Sequence, residues 1–215
     1  MDGVLVDSEG IFRDATMDVC AASGLELPSD VYMRMVGAPR EQNQRVILEH
    51  FGRDFNFEAW IEAVNIEARS RMAHGAVLKP GARDLLNDLK AAGTPCAVAT
   101  SSGHPGVERH LGPPGLLSYF QTIVARGDYE RGKPHPDPFL LAAQRLGVAP
   151  ESCLALEDSH NGVRAACAAG MMTIMVPDLL EPTPEMHSLC VAVASDLHEV
   201  QRILGRSLQG EDIKP

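Results

Sequence analysis

A change of hydrophobic period near Val77 constrains this chain more than any other feature. Before it, residues 10–75 read as helices with no strand between them. Amphipathic stretches cover 11–22, closed by Gly24, then 39–51, closed by Gly52, and 57–74, closed by Gly75. After it the pattern alternates. A helix is expected over 81–92, a strand over 96–99 and a short helix running irregularly to 119. Then come a strand at 122–125, a helix at 136–146, a strand at 153–156, a helix at 161–169 and a strand at 173–176. A last strand at 190–193 and a helix at 197–204 follow. Strands alternating with helices bury their apolar faces best as a mainly parallel, doubly wound α/β sheet. The opening Gly3-Val4-Leu5-Val6 is apolar and adjoins Asp2, which assigns the N-terminus to the same α/β part. The helical block is thus expected as an insertion, a helical cap of 10–76 within an α/β core of 1–9 and 77–215. The tail after Gly205 is polar.

Lys and Arg number 19 against 29 Asp and Glu, a formal charge of -10, and no run of basic residues offers a footprint for a phosphate backbone. Nucleic acid is not an expected partner. No apolar stretch reaches the roughly 18 residues that a membrane helix needs, and Asp2 stands where a signal peptide would carry a cation. The expectation is a cytoplasmic protein without a membrane partner, a monomer or weak homodimer. The five cysteines form no C-x-x-C pair and imply no disulfide framework.

Ligands of doubly wound sheets bind beyond the carboxyl ends of strands, so polar residues just after apolar runs deserve most weight. Four clusters qualify: DGVLVDSE at 2–9, AVATSS at 97–102, GKPHPD at 132–137 and LALEDSHNG at 154–162. Singly, each has a plain structural reading. Thr100 or Asp158 could cap a helix, Lys133 could be a solvated loop lysine, and Glu157 with Asp158 a surface acidic pair. In this order they amount to a carboxylate by the first strand, a hydroxyl after the next, a loop lysine and paired acids after a later strand. Those are the parts that Mg²⁺-assisted phosphoryl transfer requires.

As an ordered set, these motifs resemble the haloacid-dehalogenase-like hydrolases, in the subgroup with a helical cap inserted after the first motif. The likeness runs from Met1 to about Asp178. PGARDLLNDLKAAG, GKPHPDPFL and EDSHNGVRAACAAGMMTIMVPD are similar to phosphatases of pseudouridine-5'-phosphate and small sugar phosphates. The resemblance implies a Rossmann-like core and hydrolysis of a small-molecule phosphate ester. The family's first motif is Asp-x-Asp-Gly, with the first Asp as nucleophile. Here Met1 fills the x position, so the nucleophile and its central strand would stand before Met1. A sheet without that strand leaves backbone groups unpaired at about 1 kcal/mol or more each. The expectation is therefore a longer native chain; the alternative is a folded but inactive form that binds Mg²⁺ and phosphate-bearing ligands without turnover.

The resemblance also assigns roles. Asp2 would protonate the leaving alcohol and then activate water, its carbonyl helping to hold Mg²⁺. Asp158 would ligate Mg²⁺, with Glu157 as a further or supporting carboxylate. Thr100 and the Ser101 amide would bind phosphoryl oxygens, and Lys133 would neutralise charge between nucleophile and phosphate. In the cap, Arg40 falls on a substrate-facing loop and Glu9 follows the hinge; a helix-start arginine and a first-turn acid are equal readings. Asn161 shapes the turn into the next helix and is a candidate to reach the site.

Other chemistries fit less well. Residues 127–133 match G-x-x-x-x-G-K, but Pro134 stands where a Ser or Thr must bind Mg²⁺, and Pro136 and Pro138 crowd the helix start. No H-E-x-x-H or G-x-S-x-G occurs, and His104, His135 and His160 are read as cleft-rim or cap residues. Asp2 favours a phosphatase over a dehalogenase, whose halide leaving group needs no acid. A phosphomutase shares the core motifs, but Gly10, Ile11 and Phe12 stand where mutase relatives carry a cap histidine.

Overall fold

A computed structural model describes residues 1–72 and 77–208, and the chain divides into two compact units, Met1–Asp7 with Ala76–Pro215 and Ser8–Gly75. The second unit is helical throughout. It runs α1 (Glu9–Ala22), α2 (Ser29–Met33), α3 (Arg40–Phe51) and α4 (Phe57–Met72). Ala15 of α1 packs on Ala68 and Met72 of α4, and the two alanines let the helices approach closely. An aromatic group of Phe51, Phe55, Phe57 and Trp60 closes the α3–α4 end. The expected extension of the last helix to 74 lies outside the described residues.

The first unit alternates: α5 (Ala82–Ala91), β1 (Ala97–Gly103), α6 (His104–Leu111), β2 (Thr122–Arg126), α7 (Asp137–Leu146), β3 (Leu154–Glu157), α8 (His160–Ala168) and β4 (Met172–Met175). It closes with α9 (Pro184–Leu189), β5 (Ala192–Val193) and α10 (Leu197–Leu208). Two short helices, α2 and α9, were not expected. Every ladder is parallel, as the alternation requires. The described strands pair in two groups, β1 with β2, and β3, β4 and β5 in that order. Among the described residues no strand hydrogen-bonds β1 to β3.

The core lies on either face of these strands. Leu85 and Leu86 of α5, Val107 and Leu111 of α6, and Leu197 and Val200 of α10 are buried in one cluster with Val98, Ile174 and the Val4–Leu5–Val6 run. Phe139, Ala155, Ala165 and Ala166 form a second, with Ala99 against it. No described helix is long and apolar enough to cross a membrane.

Candidate active site

β1 pairs with β2 in register from Ala97↔Thr122 to Ala99↔Val124, then shifts before Gly103↔Arg126. Thr100, Ser101 and Ser102 therefore bulge from the ladder at the carboxyl end of the strand, a device that re-aims backbone and side chains. The bulge is tied locally. Ser102 N donates to Thr100 Oγ1 at 3.1 Å, and Tyr129 Oη donates to the Thr100 carbonyl at 2.9 Å. Thr100 is buried and Ser101 exposed. Burial pushes the Tyr129 phenol above its ordinary value, so it stays a hydrogen-bond donor.

Lys133 precedes α7 and turns its ammonium inward. Nζ donates to the Ala99 carbonyl at 3.2 Å, pairs with Glu157 Oε1, and lies 5.0 Å from the centre of the Phe139 ring. Both partners of the ion pair are buried, at 11% and 5% side-chain exposure. A lone buried carboxylate would be strongly disfavoured, so the lysine is what permits Glu157 at the end of β3. Gly162 is the complement on the other side, because a Cβ there would overlap the Glu157 carboxylate. Ser159 caps α8 by accepting from Gly162 N, an interaction of about 1 kcal/mol.

The opening residues form a tight turn. Leu5 N donates to the Met1 carbonyl at 2.8 Å and Gly3 N to that of Val6 at 3.0 Å. Gly3 has φ +72°, a left-handed conformation that glycine adopts without strain, and a Cβ there would overlap the Asp158 carboxylate. Asp158 thus lies directly against the residue after Asp2. Burial, and then the adjacent Glu157 charge, push Asp158 up to about 7. The Asp2 side chain points elsewhere: Oδ1 is 2.5 Å from His110 Nδ1, and Oδ2 accepts from Ser102 Oγ at 2.8 Å. Burial alone would raise this carboxyl; the His110 and Ser102 bonds and nearby positive charge outweigh it and bring it to about 2.

The structure therefore gathers Asp2, Thr100, Lys133, Glu157 and Asp158 at one edge of the first unit, with Ser101 on the bulge. It does not converge the acids into one cage. Among the described residues no group of three or more His, Cys, Asp or Glu side chains is placed to hold a metal. Asp2 is turned to His110 and Glu157 to Lys133, so of the three acids only Asp158 has its carboxylate against the opening turn. Asn161 stands in the first turn of α8, where Oδ1 accepts from Arg164 at 3.3 Å. In the helical unit, Arg40 opens α3, pairs with Glu58 at 2.6 Å and lies over the Phe57 ring. Glu9 opens α1, but its side chain lies outside the described residues. His104 bonds Asp128 and His160 the Glu181 carbonyl, both within the first unit. Sequence reasoning missed His110 and Tyr129 and, though it singled out the 97–102 cluster, gave Ser102 no role. For His110 the available signal was a polar residue on the apolar face of α6, between Val107 and Leu111.

Residues 1–176 match the family described as haloacid dehalogenase-like hydrolase, and the chain belongs to it. A "Probable pseudouridine-5'-phosphatase" of Drosophila melanogaster is 38% identical over 186 residues, covering 83% of this chain and 79% of the relative. A fructose-1-phosphate phosphatase of Escherichia coli, YqaB, is 33% identical over 178 residues, covering 82% and 93%. A solved mutant of CbbY from Rhodobacter sphaeroides, in complex with xylulose-(1,5)-bisphosphate, superposes with a TM-score of 0.77 at 28% identity, covering 93% and 92%. The chain is thus a hydrolase of a family whose relatives include phosphatases of sugar and nucleoside phosphates.

Proposed function

We propose that this chain is a Mg²⁺-dependent phosphomonoesterase acting on a small phosphorylated metabolite, a sugar phosphate or nucleoside monophosphate, through an aspartyl-phosphate. The observation that carries this reading is the reach of Lys133. Its ammonium touches the carbonyl of Ala99, one residue before Thr100, and the carboxylate of Glu157, one residue before Asp158. One cation thereby joins the hydroxyl-bearing bulge to the acid pair.

In this reading the Thr100 hydroxyl and the Ser101 amide hold phosphoryl oxygens, and Lys133 offsets their charge. Glu157 fixes the Lys133 ammonium. Asp2 protonates the leaving alcohol and then takes a proton from water, a role that requires substrate binding to lift its carboxyl from the value of about 2 that it holds beside His110 and Ser102. Asp158, pushed up by burial and by Glu157, is a carboxylate short of positive charge, and its oxygen donors suit a small hard cation. It would hold Mg²⁺ with the Asp2 carbonyl; when bound, that cation offsets charge on the transferring phosphate. The resemblance puts the attacking aspartate at the position before Met1.

The test is Mg²⁺-dependent phosphate release from a panel of sugar and nucleoside phosphates, with and without chelator. It compares the chain with one preceded by a short apolar strand ending in Phe-Asp. Mg²⁺-dependent release in the extended form alone supports the reading. Release by both forms equally would show that Asp2 or another residue does the work assigned to the preceding aspartate, and absence from both would refute the function.

A further inference from the structure

His110 has no part in the chemistry above, yet it is buried at 4% exposure on the apolar face of α6. An imidazole in such a place is costly unless its polar atoms are bonded. Its partner is Asp2, which is 108 residues away in sequence, at 2.5 Å. Ser102, at the foot of the β1 bulge, donates to the other oxygen of the same carboxylate at 2.8 Å. Two side-chain donors from different elements thus grip both oxygens of one acid and fix the plane in which it lies.

We propose that His110 is a positioning residue for Asp2, holding its carboxylate in one rotamer through Nδ1 while Ser102 takes the second oxygen. The catalytic part of this inference rests on the acid/base role proposed for Asp2; the geometric part does not. Proton transfer requires heavy atoms to approach within about 2.6–3.2 Å. An error near 1 Å in placing the acid costs about 100-fold in rate. The Ser102 hydroxyl can rotate away and yield its oxygen to a leaving group. His110 sits in a helix with its neighbours Val107 and Leu111 buried, so it provides the fixed point.

The experiment follows the ¹³C carboxyl signal of Asp2 in the full chain, with kcat and KM measured in whichever form turns over under the assay above. His110→Asn keeps a donor near Nδ1, and His110→Leu removes it. The Asp2 signal is expected to stay near its original position in His110→Asn and to move in His110→Leu. In parallel, kcat should fall by about 10- to 100-fold in His110→Leu with KM unchanged, and return largely in His110→Asn. Should His110→Leu fail to fold, Ser102→Ala reads the same signal from the other oxygen and is expected to move it. An Asp2 signal unmoved by loss of either donor overturns the proposal, as does an unaltered kcat alongside a moved signal. If no form hydrolyses any ester, the functional reading fails on its own, and the carboxyl signal still decides whether His110 positions Asp2.

Discussion

Replacing Lys133 by Met keeps most of the side-chain volume and removes its charge, which isolates the Lys133–Glu157 pair. Glu157 is only 5% exposed, and its carboxylate is enclosed by Lys133 on one side and by Gly162 on the other. Without the ammonium it is a buried charge with no counter-ion, a state that costs about 3–5 kcal/mol. At about 2–4 °C per kcal/mol for a chain of this size, the melting temperature should fall by roughly 6–20 °C. Urea and thermal unfolding followed by circular dichroism measure this without recourse to activity. Adding Glu157→Leu to Lys133→Met should recover most of the loss, because an apolar pair needs no compensation. A loss under about 1 kcal/mol, the scale of an exposed pair, would refute the reasoning. So would a double variant no more stable than Lys133→Met alone.

Gly3→Ala places a Cβ inside the Asp158 carboxylate at φ +72° and should cost about 1–3 kcal/mol, read by urea unfolding; a neutral result would mean that the opening turn is not held as described. Asp128 is held at about 2, first by His104, then by the Ala125 amide and Arg145. Its folded value lies below the ordinary 3.8, so its stabilisation is complete above about pH 4 and is lost as pH falls through about 2. Asp128→Asn should therefore be less stable than the parent at pH 5 and converge with it near pH 2; a constant gap would contradict the assignment. Burial first, then the neighbouring Cys167, lifts the Cys190 thiol to about 11. At pH 8 only about one thiol in a thousand is then ionised, and iodoacetamide should label Cys190 only on unfolding. Rapid labelling in the native protein, read by peptide mass, would disprove its burial.

The elements that sequence reading captured are those with long, regular patterns. The apolar spacing of α5, α7 and α8 and the runs that became β1 to β4 are set by local periodicity. α2 and α9 have five and six residues, too short for a period to register. For α9 the cap was still legible: Thr183 accepts from Met186 N, Pro184 follows at the first turn and Glu185 comes next. Thr100 and the pair Glu157–Asp158 could be found because they stand at the end of apolar runs, and Lys133 because it lies in the GKPHPD cluster ahead of α7. Where their side chains turn could not. The grip of His110 and Ser102 on Asp2 spans 108 and 100 residues, and the pairing of Lys133 with Glu157 depends on Ala99 of β1 and Glu157 of β3 lying within reach of one ammonium. Such contacts belong to the tertiary arrangement and leave no periodic trace.

How the strands end bears on how this protein behaves in concentrated solution. Among the described residues β2 is paired on one side only, by β1, and β5 on one side only, by β4. A strand with an open side is a template for pairing with any extended chain that reaches it. Two features blunt these borders: β5 is two residues long, Ala192–Val193, and β2 ends on the exposed cation Arg126. A border that is too short, or that ends on a charge, gives a neighbouring molecule little ladder to extend, which is a colloidal safeguard.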